Sequence, residues 1–178
     1  MCACSRSREA GRAPGSGDDV SRAHVITVSD GAFHGSRADA SGSALIRILK
    51  ANHFDVSGPV VVPDERQLIT AAIVAAADAG SDLIVTTGGT GLGPRDVTPQ
   101  ATEAALDYEV RGIGETMRRA GMESTPMAAL SRGTAGVRGR TLIINVPGSP
   151  KGAMESLEAV MPLLSHALAL LHGDTEHR

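Results

Sequence analysis

The sequence has no tryptophan, and its aromatic side chains are limited to Phe33, Phe54 and Tyr108. The stacking platforms on which single-stranded nucleic acids lie are therefore missing. It also lacks an excess of positive charge: 17 basic and 20 acidic residues leave a formal charge of -3, with no broad field to hold a polyanion. No nucleic-acid partner is expected. Cysteine is confined to Cys2 and Cys4 in a polar stretch, where a disulfide would close almost no loop and no Cys/His pair follows at zinc spacing. The six histidines form no H-E-x-x-H or related cluster. No uninterrupted apolar run approaches the roughly 20 residues that span a bilayer, and the N-terminus has no apolar centre of a signal peptide. The expectation is a cytoplasmic protein with no membrane partner. A G-x-S-x-G elbow is absent, and neither cysteine nor histidine closes a strand, which removes the triad hydrolases.

What is present fits one domain. The chain has 178 residues, 42 % of them hydrophobic, enough for a single sizeable core. Residues 1–21 are polar and rich in Ser, Gly and Arg, so they are expected to form a disordered tail. Residues 22–173 read as the folded domain and 174–178 as a short C-terminal tail. From His24 onward, short β-branched runs alternate with helical periodicity. Strands are expected at His24 to Ser29, Val56 to Val62, Leu83 to Thr87 and Thr141 to Val146. The second contains Gly58 and Pro59, which suit an edge strand or a start at Val60. Helices are expected after a cap at Ser41, over Asp64 to Ala79, from a Thr98 cap with Pro99 behind it, over Gly112 to Gly121, and from about Lys151 to Leu171. Pro162 should bend or split the last. The stretch from Met122 to Arg140 gives no firm assignment. Such alternation predicts an α/β fold of three layers, with a mostly parallel central sheet flanked by helices. In that architecture the loops after Ser29, Val62, Thr87 and Val146 meet at one edge, where ligands bind.

Those loops carry the chemistry. Thr86-Thr87-Gly88-Gly89-Thr90-Gly91 lets backbone N–H groups approach an anion without Cβ obstruction, and the threonines add hydroxyl donors. It lacks the G-K-[ST] of a Walker loop, and Pro94 stands where a last Rossmann glycine belongs. The alternative is a tight strand-to-helix turn and nothing more. Asp64 and Asp96 each sit between a strand and a helix, as the one or two carboxylates of a nucleotide–Mg2+ site do. Asp64 with Gln67 also reads as a capping box. Asp30 and Asp39 bracket the first loop as ligand contacts or solvated turn residues, and Ser29 closes a strand. Pro147-Gly148-Ser149-Pro150-Lys151 offers amides and one of only two lysines at a helix start, which suits a second anion or a plain helix entry. Ser131 and Arg132 can reach the same edge.

Seven segments in order resemble the MogA/MoaB group of molybdopterin adenylyltransferases, which includes the G domain of gephyrin-type proteins. They are Val28-Ser29-Asp30, Ser41-Gly42, Pro63-Asp64-Glu65, Thr86 through Gly91, Arg95 through Pro99, Leu130-Ser131-Arg132 and Asn145 through Lys151. The resemblance covers about residues 24 to 172. It implies a trimeric enzyme of molybdenum cofactor biosynthesis that uses Mg2+ and ATP to adenylylate molybdopterin and hands the product to a molybdenum-insertion protein. By the same resemblance, Asp64 and Asp96 are the catalytic and metal-binding acids. Thr87, Gly88, Gly89, Thr90, Gly91, Pro147, Gly148, Ser149 and Lys151 hold pterin and phosphate, completed by Ser29, Asp30 and Ser131. The loop Gly31 to Ala40 departs most from the family pattern, which leaves the contacts of Asp39 open. Two other readings stand beside it: a non-catalytic pterin carrier, and a pyrophosphatase acting on nucleotide diphosphates.

Overall fold

A computed structural model describes residues 20–174 of the chain. The expected tails therefore fall outside the described residues, apart from Val20, Ser21 and Asp174. The chain runs β1 (Arg22–Val28), α1 (Asp30–Phe33), α2 (Ala40–Ala51), β2 (Asp55–Val62), α3 (Arg66–Asp78), β3 (Leu83–Thr87), α4 (Thr98–Glu103), β4 (Tyr108–Glu109), α5 (Arg111–Ser124), a 3-10 turn (Pro126–Leu130), β5 (Ala135–Arg138), β6 (Thr141–Val146) and α6 (Pro150–Leu171). The sheet order is β2-β1-β3-β6-β5-β4. Its first four strands are parallel, whereas β5 is antiparallel to β6 and β4 to β5.

Neighbouring residues on the central strands enter opposite layers, as the period of two requires. Val25, Val85 and Ile144 pack with Leu45 and Leu49 of α2, Met117 of α5 and Leu157 and Leu164 of α6. Ile26, Ile84 and Ile143 pack on the other face with Ile69 and Ile73 of α3 and Ala101 of α4. Burial on both faces explains why these strands read as continuous apolar runs rather than as alternation. The three-layer α/β expectation holds. Among the described residues α6 is the one helix long and apolar enough to cross a membrane, but it buries Leu157, Val160, Leu164 and Leu168 in the core.

Several local readings need correction. Ser41 does not cap α2: Asp39 does, accepting from Gly42 N–H at 2.8 Å while Thr27 Oγ1 donates to its other oxygen at 2.7 Å. Asp39 is thus a capping residue tied to Thr27, and it also lines the polar cleft at the sheet edge. The Asp64/Gln67 capping box does not form, because α3 starts at Arg66 with Glu65 at the cap position and no side-chain cap bond. Thr98 lies inside α4, whose cap position is Val97. The first loop contains the single turn α1, capped by Ser29 accepting from Ala32 N–H at 3.2 Å. β2 is an edge strand, as expected, but starts at Asp55 and carries a cis Gly58-Pro59 bond beside a register shift. β4 and β5 leave no strand pattern in the sequence because one is two residues long and the other contains Gly136, whose missing side chain makes room for Leu106 and the Tyr108 carbonyl. Pro162 does not split α6. It is exposed, as is Glu158, whose carbonyl loses its donor.

Replacing Asp39 by Ala removes the α2 cap and strands the Thr27 hydroxyl. The expected loss is about 1–2 kcal/mol, read as a lower urea midpoint with an unchanged slope.

Candidate functional site

The loops leaving β1, β2, β3 and β6 enclose a polar cleft of about 430 Å³ whose walls include Ser29, Asp64, Thr87, Gly88, Gly89, Asp96, Gly148 and Ser149. Asp64 is fixed by its neighbour across the mouth. Its Oδ2 accepts from Asp30 N–H at 2.8 Å, and its own N–H donates to Asp30 Oδ1 at 3.0 Å. Arg95 grips both oxygens of Asp30, through Nε at 3.1 Å and Nη2 at 2.9 Å. Burial is the main cause that raises the Asp64 pKa, with the Asp30 and Asp96 charges adding to it. Asp30 goes the other way, held low by its hydrogen bond from the Asp64 backbone and by Arg95. Asp96 Oδ2 accepts from Gly93 N–H at 2.7 Å, which folds the loop before α4 back on itself.

The glycine turn is shaped by close approach. Gly88 has φ +103 and Gly89 φ +62. A Cβ on Gly88 would collide with the Val28 carbonyl, and a Cβ on Gly148 would lie 3.1 Å from Gly88 Cα. The N–H groups of Gly89, Thr90, Gly91, Gly148 and Ser149 have no acceptor among the described residues. Such a run of open amides suits an anion. The threonine hydroxyls do less than expected. Thr87 Oγ1 donates to the Pro147 carbonyl at 2.8 Å and Thr86 Oγ1 accepts from Asn145 Nδ2 at 2.9 Å, so both stitch β3 to β6.

Arg132 braces the far side of the turn. Its N–H donates to the Thr90 carbonyl at 2.9 Å, its Nε to the Gly91 carbonyl at 2.7 Å, and its Nη2 to the Asp96 carbonyl. Lysine cannot reproduce this fork. Arg132→Lys is expected to cost about 1–3 kcal/mol and to speed hydrogen exchange in residues 90–97. Unchanged exchange there would contradict the brace.

A second recess, about 270 Å³ and mostly apolar, opens on the other side of the turn between α5, the 3-10 turn and the start of α6. Its walls include Thr90, Gly91, Met117, Met127, Leu130, Ser131, Pro147 and Ser149. Ser149 lines both recesses. The sequence candidates thus divide: the carboxylates and the first half of the glycine turn face one recess, Ser131 and the second half the other. Lys151 lines neither, and its Nζ lies 3.6 Å from Glu155 with the side chain largely exposed. Two lining side chains and one buried hydroxyl add to these candidates. Arg37 lines the polar cleft with no side-chain partner among the described residues. Arg118 lines the apolar recess and donates to the Gly133 carbonyl at 2.9 Å. Thr98 buries a hydroxyl with no partner. Neither arginine lies in a pattern that spacing could reveal, and Thr98 is legible in the sequence only as a cap.

No group of three His, Cys, Asp or Glu converges as a metal site among the described residues. That fits Mg2+, which keeps most of its waters and takes one or two carboxylates with phosphate oxygens. Asp64 and Asp96 line one cleft, and Asp64 Oδ1 has no protein donor among the described residues. The donor set suits a shared, hydrated cation.

A family model described as "Probable molybdopterin binding domain" matches residues 24–166. The molybdopterin adenylyltransferase of Helicobacter pylori strain 26695 is 41 % identical over 154 residues, 84 % of this chain and 87 % of that protein. The molybdopterin biosynthesis enzyme MoaB of Thermus thermophilus superposes with a TM-score of 0.82 at 55 % identity, over 86 % of this chain and 98 % of that one. The Mog protein of Mycobacterium ulcerans superposes with a TM-score of 0.81 at 37 % identity, over 85 % and 99 %.

Proposed function

This chain belongs to the molybdopterin-binding domain family, and from that premise we propose that it is a molybdopterin adenylyltransferase acting in molybdenum cofactor biosynthesis. An oxygen of the terminal phosphate of molybdopterin attacks the α-phosphorus of ATP. The bond to the bridging α–β oxygen breaks, and pyrophosphate leaves with the charge. The observation that carries this reading is a pair of unlike recesses with a common wall: a polar one with three carboxylates, Asp39, Asp64 and Asp96, and open amides, and an apolar one across the glycine turn.

The apolar recess suits a flat pterin, with Ser131 and Arg118 as polar residues in its wall. The polar cleft suits the triphosphate. Phosphate of the one substrate then meets the α-phosphate of the other at the Gly88–Gly91 turn and Ser149, where alignment supplies much of the rate. The nucleophile is already ionised near neutral pH, so no general base is required. The difficulty is bringing two anions together, and preorganised amides address that without reorganising in the reaction. Asp64 and Asp96 would hold Mg2+, which neutralises phosphate charge when bound. Asp30, tied to Asp64 and Arg95, fixes the carboxylate that faces the cleft.

The enzyme works as a cytoplasmic homotrimer, for which Leu163 and Leu170, left exposed on α6, supply apolar surface. It hands its product to a molybdenum-insertion protein. Purified chain given ATP, Mg2+ and molybdopterin is expected to release one pyrophosphate per adenylylated pterin. Pterin binding without pyrophosphate release would favour the carrier, and AMP release from a nucleotide diphosphate without pterin would favour the pyrophosphatase.

A further inference from the structure

Thr98 is fully buried, and its hydroxyl has no hydrogen-bond partner. A buried, unpaired hydroxyl costs stability, so a fold that keeps one needs a reason. Its backbone is not loose, because Thr98 N–H donates to the Gly89 carbonyl at 3.1 Å and ties α4 to the glycine turn. Gly89 lies beside two groups that each lack what the other offers. A Cβ at that position would strike Thr98 Oγ1 and lie 3.1 Å from Asp64 Oδ1. Asp64 Oδ2 is taken by Asp30 N–H, while Asp64 Oδ1 has no donor among the described residues. An idle donor and an idle acceptor thus both lie close to the point where residue 89 carries no side chain.

We propose that Thr98 is a positioning residue for Asp64, its hydroxyl donating to Asp64 Oδ1 once nucleotide occupies the polar cleft. This inference rests on the adenylyltransferase reading above. With Oδ2 held by Asp30 N–H, the added bond fixes both oxygens of the carboxylate and leaves one orientation toward the phosphates. In the free protein the bond is not made, and the Asp64 carboxylate is held through Oδ2 alone. The glycine at 89 is required for this contact as well as for the turn, since a Cβ there would strike the Thr98 hydroxyl and crowd Asp64 Oδ1.

Thr98→Val keeps the shape and β-branching and removes only the hydroxyl. The expected variant melts at or above the wild-type temperature, because an unpaired polar group has gone, yet turns over at least tenfold more slowly with the KM for ATP changed less than about threefold. Thr98→Ser is expected to restore most of kcat. A second readout is independent of turnover. The thermal shifts of Thr98→Val, Asp64→Asn and the double variant add in the free protein and depart from additivity with ATP and Mg2+ present. Wild-type turnover in Thr98→Val, a serine variant as slow as the valine one, or additivity in both conditions overturns the inference while the adenylyltransferase reading stands. A wild-type chain that neither turns over nor shifts with ATP overturns both.

Discussion

Asp64→Asn is expected to turn over about 100- to 1,000-fold more slowly than the wild-type chain, a barrier increase of about 3–4 kcal/mol, without melting at a lower temperature. The two effects separate because the side chain has two jobs. Its structural job, accepting the Asp30 N–H at 2.8 Å, needs only a carbonyl oxygen, which asparagine keeps. Its functional job needs negative charge toward the cleft, which asparagine loses. Burial raises the Asp64 pKa, so between the ordinary carboxylate value and the raised one the folded chain binds more protons than the unfolded chain. Stability then falls as pH rises through that window. The asparagine variant has no such fall. At pH 7 it is expected to be at least as stable as wild type, and the difference closes below about pH 4, where the unfolded carboxyl is also protonated. Asp30 has the opposite sign: its lowered pKa gives a contribution that is present above the ordinary value and lost as pH falls through the lowered one. Urea titrations of wild type, Asp64→Asn and Asp30→Asn across pH 3 to 8 test both. A wild-type turnover rate in Asp64→Asn would remove Asp64 from the chemistry, and a lower melting point at pH 7 would assign it mainly to the fold.

Gly88→Ala is the other large effect, and here fold and site fail together. At φ +103 an alanine is strained wherever it stands, and its Cβ would also run into the Val28 carbonyl of the neighbouring strand. The combined expectation is a loss of about 2–4 kcal/mol with turnover near background, since the displaced turn carries the open amides and touches the Pro147–Ser149 loop. Gly112→Ala is the matched control. It lies in α5 with nothing within 4 Å of the new methyl, and is expected to gain about 0.5–1 kcal/mol and keep full activity. Equal behaviour of the two variants would show that the Gly88 conformation is not required.

Much of the site was readable because it is written in turns. A β-branched run ending in Gly88-Gly89-Thr90-Gly91, or in Pro147-Gly148-Ser149, announces a strand end and an open backbone by local chemistry alone. The parallel sheet then delivers both to one edge. Caps were read less well. Ser41, Thr98 and the Asp64/Gln67 pair all carry acceptable cap chemistry, but which residue caps a helix depends on where the preceding loop leaves the sheet, and Asp39 won because Thr27 on β1 reaches it.

The sequence by itself determined the alternating elements, the three-layer α/β class and the loops that meet at the sheet edge, because hydrophobic periodicity and turn residues act over a few positions. The tertiary structure alone decided what each polar side chain does there. Asp30 and Asp64 exchange hydrogen bonds across 34 residues, Arg95 reaches Asp30 across 65, and Arg132 holds the Asp96 carbonyl across 36. Contacts of that range leave no periodicity in the chain; they exist only once packing of both faces has set the strands side by side.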